Sequence, residues 1–199
     1  MKIRGRKTVG EVLQNLESKG VSGNGIEKYS ALKLIAFKAE RSLEVIGIDL
    51  AGSHHLIKTF PFTGFSGNLG PKLREGDRQI PEGIYKIEGL NPNSAYHLSI
   101  KLNYPNDFDR EMAALDGREN PGSDIFIHGK SGTVGCIPIG DEAIEELFLM
   151  VSKIGIKNVS IILAPHDFRK GLPNPECKDI AWTSELYASI RAALRKNKL

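Results

Sequence analysis

A histidine and a cysteine, His128 and Cys136, stand at the two ends of the glycine-bearing stretch HGKSGTVGC. Cysteine attacks carbonyl carbons as its thiolate, which a free thiol populates only to a few per cent near pH 7. An imidazole within hydrogen-bond reach can take the thiol proton, because its ordinary pKa lies close to neutrality. Gly129, Gly132 and Gly135 let the chain turn sharply enough to bring Cys136 back alongside His128. The bare backbone at Gly135 leaves room for the N–H groups of Gly135 and Cys136 to meet a developing oxyanion. Ser131 and Thr133 add hydroxyls that could line the same pocket, and Lys130 is a further residue of the loop that could touch a substrate. Blander readings stay open. A cysteine next to glycine also serves as a small buried hydrophobe, a strand-end histidine as a structural group, and Cys136 could pair with Cys177. No second pair of ligands has a metal-binding spacing. His166, at the end of an apolar run, is the rival base, and His54 and His55 read as surface residues.

The elements that must position these groups are legible in part. IFI before His128 reads as a strand, so the histidine stands at a strand end. DEAIEELFLMVSKIG after the loop reads as a helix. Asp141 is its expected cap, Ile144, Leu147, Phe148 and Val151 its apolar face, and Gly155 its stop. KNVSIILAP reads as a buried strand and SELYASIRAALRK as a terminal helix. Upstream, Thr8 and Glu11 form a capping-box pattern opening a helix with Val9, Val12, Leu13 and Leu16 on one face and Gly20 at its end. LKLIAFKAERSLEVIGIDL reads as two strands around a Glu40–Arg41 turn, followed by strands in HHLIKTFPF, IYKIEGL and YHLSIKL. The glycine- and proline-rich TGFSGNLGPKLREGDRQIPEG reads as loop. The sum is a mainly antiparallel sheet protein of the α+β type.

With 199 residues the chain is long enough for one domain with a full core, or a domain plus a small appendage. Its net charge of +3 is mild. The basic residues at the ends (Lys2, Arg4, Arg6 and Lys7, then Arg191, Arg195, Lys196 and Lys198) read as solvated termini or as a weak anchor to an anionic polymer, and no aromatic interleaving suggests nucleic-acid binding. No stretch has the roughly 20 apolar residues of a membrane span. The start, MKIRGRKTVGEVLQ, shows no apolar segment of a secretory leader. Two cysteines neither define a compartment nor imply a metal.

At the His–Cys loop the sequence resembles the L,D-transpeptidase catalytic domain, the YkuD-type family. Its signature is a His–Gly pair at a strand end, a variable loop, then Ser or Thr, one residue, Gly and Cys. His128–Gly129 match the first part, and Thr133, Gly135 and Cys136 the second. YPNDFDR, with Tyr104, Pro105, Asn106, Asp109 and Arg110, resembles the upstream segment of the murein peptide-processing branch. GDRQIPEGIY resembles the loop of that branch leading into a strand through a Pro-x-Gly turn. The likeness runs from about Leu32 to Arg169. Val134 and Pro138 depart from it, standing where many members have His or Lys, and Arg.

The resemblance implies a β-sandwich or barrel-like mixed sheet with flanking helices over 31–199, and a helical extension over 1–30. It implies a nucleophile Cys136, a base His128 oriented by the Gly129 carbonyl, and an oxyanion site at Gly135 and Cys136. Tyr104, Asn106, Arg110, Ser131 and Thr133 become candidate contacts for a peptidoglycan stem peptide. From the residues alone, Tyr104 could equally be core, Arg110 could equally pair with Asp107 or Asp109, and Asn106 and Asp109 could shape their loop. No cofactor or metal is implied. The expected place of work is the periplasm or cell envelope. Competing readings are a non-catalytic peptidoglycan-binding module on the same fold, a generic thiol hydrolase or redox protein, and an effector delivered to the cell wall without a leader. The acyl acceptor and the oligomeric state are not encoded in any motif.

Overall fold

The computed structural model describes residues 5–23, 25–177 and 180–195. Helix α1 (Val9–Ser18) opens with the full capping box, Thr8 accepting from the Glu11 N–H and Glu11 accepting from the Thr8 N–H. Such reciprocal pairing satisfies two of the four N–H groups a helix start leaves orphaned. Its apolar stripe is buried at Val12 and Leu16, which join the main core. Strands β1 (Tyr29–Phe37), β2 (Ser42–Asp49) and β3 (His54–Pro61) follow as an antiparallel meander.

A long irregular strap over 62–82 then leads into β4 (Gly83–Ser94), which doubles back as β5 (His97–Leu102) through the Ala95–Tyr96 turn. Next come α2 (Asp107–Leu115), β6 (Phe126–His128), the two-residue β7 (Ile137–Pro138), α3 (Asp141–Ile154), β8 (Val159–Ala164) and α4 (Thr183–Arg195). The strands form one sheet in the order β3-β2-β1-β8-β4-β5-β6-β7. β4 does the joining, since Gly83–Lys86 pair with β8 whereas Ile87 onwards pairs with β5. The sheet curls there, and its far end carries the His–Cys loop.

This is the mixed sheet with flanking helices that the sequence implied. Parallel pairings β1–β8 and β6–β7 interrupt the otherwise antiparallel order. One face is covered by α3, whose Ile144, Leu147, Phe148 and Val151 are buried as their spacing predicts, together with Leu149 and Met150. Each such side chain contributes about 1.5–3 kcal/mol by leaving water. On the other face α4 packs Leu186, Tyr187, Ile190 and Leu194 against Ile35, Phe37, Ile46 and Ile162. Helix α2 was not expected. Asn106 caps it by accepting from the Asp109 N–H, and Asp109 accepts from the Asn106 N–H, so two residues read as loop-shaping in fact start a helix.

Candidate active site

β6 and β7 run parallel, with Ile127 beside Ile137 and His128 beside Pro138. Cys136 immediately precedes β7 and lies level with Phe126, whose N–H points at the sulfur at 3.4 Å. Cys136 itself is a bend residue outside both strands, its sulfur set between the Phe126 N–H and the Asp124 carbonyl at 3.6 Å, while His128 ends β6 two residues past Phe126. Ile127 and Ile137 are both fully buried, which anchors the strand residues next to His128 and Cys136 in the core.

The imidazole has a defined tautomer. Its Nδ1 lies 2.6 Å from the carbonyl oxygen of Gly129. A carbonyl only accepts, so Nδ1 carries the proton and Nε2 offers its lone pair. Burial pushes the His128 pKa below its ordinary value, against the pull of that hydrogen bond. Burial likewise pushes the Cys136 thiol up, with the Asp124 charge adding to the rise while the Phe126 N–H and the Lys72 charge oppose it. Both shifts favour the uncharged forms. The resting thiol and imidazole are thus neutral groups, and among the described residues the polar contacts of the sulfur are the Phe126 N–H and the Asp124 carbonyl. Alkylation of Cys136 in the free protein should accordingly keep accelerating past about pH 8.5, where an ordinary thiol is half ionised. A rate already level at pH 7, followed by mass spectrometry, would contradict this.

The main-chain donors expected at the oxyanion are engaged. Gly135 N–H donates to Ser66 Oγ at 2.8 Å, and Cys136 N–H to Thr133 Oγ1 at 3.1 Å. Thr133 also donates to the Cys136 carbonyl at 2.8 Å, so this residue braces the loop instead of lining an open pocket. Ser66 belongs to the 62–82 strap, which folds over the loop. Thr63 N–H donates to Pro138 O at 2.9 Å and Thr63 Oγ1 to Lys130 O at 2.5 Å. A side chain at Gly135, where φ is +86°, would press on Gln79 O at 3.0 Å, and one at Gly64 would collide with Ser131 O. These glycines are needed for close approach of two backbones.

Residues 50–161 match the family model of the L,D-transpeptidase catalytic domain, the YkuD type. The chain belongs to this family. YafK of Escherichia coli (strain K12), whose own assignment as an L,D-transpeptidase is provisional, is 34% identical over 118 residues, 58% of this chain and 45% of that protein. The chain thus spans about half the length of the curated relatives it matches. Among solved structures, the helical cell shape determining protein Pgp2 of Campylobacter jejuni aligns with a TM-score of 0.54 and 20% identity over 80% of this chain and 56% of that one. Bd1075 of Bdellovibrio bacteriovorus aligns with a TM-score of 0.51 and 20% identity over 85% and 56%. Both share the fold.

Within this L,D-transpeptidase domain, His128, Gly129, Ser131, Thr133, Gly135 and Cys136 come together in one loop. Ser131 is exposed at its tip. Tyr104, Asn106 and Arg110 gather elsewhere, lining a separate depression of about 250 Å³ whose walls include neither Cys136 nor His128. Tyr104 is buried, its hydroxyl donating to Pro121 O at 2.7 Å and its ring tilted against Tyr85. Arg110 lies 3.5 Å from Asp107 on an exposed helix face. For Tyr104, Asn106 and Arg110 the geometry corresponds to the structural alternatives. The thiols of Cys136 and Cys177 are both free, Cys177 resting 3.5 Å from Tyr187 Oη, so the disulfide alternative is not formed. His166 turns its Nε2 to Pro173 O at 2.8 Å. Sequence reasoning missed Ser66 and Tyr96, which reach the site from distant segments. No periodicity marks such contacts, though positive φ at His97, Asp124 and Lys130 clusters around the loop.

Proposed function

We propose that this domain transfers the acyl group of a peptidoglycan stem peptide through a thioester on Cys136. As the sulfur attacks the carbonyl joining an L-centre to a D-amino acid, His128 Nε2 takes the thiol proton. It then passes that proton to the departing amine as the C–N bond breaks. An amine acceptor or water next attacks the thioester, His128 receiving its proton and returning it to the sulfur as the C–S bond breaks. The observation that supports this most is the tautomer set by Gly129 O, which leaves Nε2 as the basic atom of the imidazole.

Starting from a neutral pair, the enzyme works by general-base activation during attack. The carbonyl oxygen would displace Ser66 Oγ and Thr133 Oγ1 from the Gly135 and Cys136 N–H groups, and the Ser66 hydroxyl can then turn from acceptor to donor. Each oxyanion donor is worth about 3 kcal/mol. The catalytic unit is proposed as residues 31–199, and of the chain before it Tyr29 and Ser30 already belong to β1 while α1 docks as a helical extension through Val12 and Leu16. Peptidoglycan lies outside the cytoplasmic membrane, which places the work in the cell envelope. Among the described residues no helix is long and apolar enough to cross a membrane.

Incubation with purified muropeptides, with products and protein resolved by mass spectrometry, tests the reading. The expected result is an acyl adduct on Cys136, none on Cys177, and loss of the terminal D-residue from a tetrapeptide donor. Binding without any adduct or product would favour the non-catalytic module.

A further inference from the structure

His128 is only 2% exposed, yet it stands at a strand end, where solvent would normally reach it. The covering group is Tyr96. Its ring centroid lies 4.5 Å from that of His128, tilted by 43°, and Tyr96 itself is 45% exposed. An aromatic ring in contact on one side and open to water on the other is unusual for a two-residue hairpin turn, which favours Gly, Asn and Asp.

The turn is held from several directions. Tyr96 N–H donates to Ser94 Oγ at 3.1 Å, and His97 Nε2 donates to Glu145 Oε1 on α3 at 2.8 Å. Lys130 Nζ, from the His–Cys loop itself, donates to Ala95 O at 2.6 Å. Gly129 lets the Tyr96 carbonyl approach so closely that an added Cβ would lie 2.7 Å from it. His97 adopts φ +73° to make the bend, a conformation that non-glycine residues rarely take without compensation. The Tyr96 hydroxyl makes no hydrogen bond among the described residues, so it is the ring that the site uses.

We infer that Tyr96 is a positioning residue that screens the His128 imidazole from bulk water and so directs the Cys136 thioester towards amine acceptors over hydrolysis. This rests on the thioester reading above. In the second half-reaction His128 must accept a proton from whichever nucleophile attacks. An amine arrives on a peptide that makes its own contacts with the domain and displaces water as it binds. A lone water has no such contacts and must reach the imidazole past the ring. Removing the ring opens that path without touching the sulfur. The lowered basicity of the buried imidazole is the electrostatic counterpart of the same screen.

The test compares wild type, Tyr96→Phe, Tyr96→Leu and Tyr96→Ala by two measurements. NMR titration of His128 needs no substrate. The imidazole should titrate as in wild type in Tyr96→Phe and move up towards the ordinary value in Tyr96→Ala. Product analysis with a tetrapeptide donor and an amine acceptor should show the ratio of hydrolysis to transfer rising several-fold in Tyr96→Ala and Tyr96→Leu and unchanged in Tyr96→Phe. Tyr96→Leu keeps apolar volume at the turn and stands in if Tyr96→Ala does not fold. An unchanged ratio in the ring-less variants, with the Cys136 adduct still forming, overturns the inference and leaves the proposed function standing. Absence of the adduct in wild type overturns both. A His128 titration unmoved by loss of the ring overturns the screen itself.

Discussion

Replacing Cys136 with alanine is expected to abolish turnover and adduct formation while leaving the protein folded. The loss should be on the order of 10⁴-fold or more, since no other group at the site can hold the acyl intermediate. The fold should survive because, among the described residues, the sulfur makes only two weak polar contacts, at 3.4 Å to the Phe126 N–H and 3.6 Å to Asp124 O. The loop it occupies is held by Thr133, Ser66 and Thr63 instead. Urea unfolding should therefore change by no more than about 1 kcal/mol. His128→Ala gives a graded companion result, slowing acylation by about 10²–10⁴-fold, the usual worth of a general base. The size of that loss separates two electrostatic pictures. With a preformed thiolate, removal of His128 would mainly raise the thiol pKa and the deficit would vanish at high pH. With the neutral pair set by burial, the deficit should persist above the thiol pKa in the second half-reaction, where His128 must still deprotonate the acceptor. Turnover retained by Cys136→Ala would remove the mechanism.

What the sequence made legible divides along a physical line. Features whose cause is local could be read. The Thr8–Glu11 box, the α3 stripe at Ile144, Leu147, Phe148 and Val151, and the strand-end place of His128 each follow from residues within a few positions of one another. Helix α2 has a local signature too, Asn106 with Asp109 three positions on, but it uses Asn and Asp where the usual box has Ser or Thr and Glu. Asp141 marks the opposite error. Its position suits a helix cap, but no side-chain cap forms at that end. Instead its Oδ1 accepts from the Lys130 N–H at 2.8 Å, tying α3 to the His–Cys loop. A local rule identified an acceptor there and could not choose between two nearby donors.

Contacts with no local cause stayed hidden. The 62–82 strap was readable as loop from its glycines and prolines, yet nothing in its composition says that Ser66 will meet Gly135 or that Gln79 will back onto the same residue. Tyr96 likewise read only as the start of a strand. The glycines carried more than turn propensity. Gly64 and Gly135 are where two segments distant in sequence touch backbone to backbone, which only the folded structure reveals. Family resemblance put forward Cys136 and His128 as nucleophile and base because they sit inside one short motif. It offered Tyr104 and Arg110 as candidate substrate contacts beside structural alternatives, and the fold places Tyr104 inside the core and Arg110 on the outer face of α2.

The strap owes its position to a buried charge, and that gives the largest expected effect on stability. Lys38, just past β1, is fully buried and lies 2.9 Å from Glu82 Oε1. Its Nζ also donates to the carbonyls of Gly70 at 2.7 Å and Ile80 at 2.9 Å, so one ammonium pins the strap at two points ten residues apart. Glu82 completes the clasp by accepting from Gly70 N–H at 2.7 Å and Tyr187 Oη at 2.8 Å. Burial pushes the Lys38 pKa down, with Glu82 holding it up against that pull. Exchanging such a pair for apolar groups can be nearly neutral, whereas removing one member leaves a charge stranded. Lys38→Met should thus cost about 3–5 kcal/mol in urea unfolding. Lys38→Met with Glu82→Gln should recover part of that loss, because an amide is cheaper to bury than an unpaired carboxylate. A single-mutant cost below about 1 kcal/mol would mean that water or a strap movement compensates Glu82. The same variant links stability to the site. The released strap carries Ser66 and Gln79, whose contacts with Gly135 set the approach to the thiol. Cys136 alkylation in folded Lys38→Met protein should therefore run faster than in wild type, while in Glu82-preserving surface variants such as Lys58→Met it should not change.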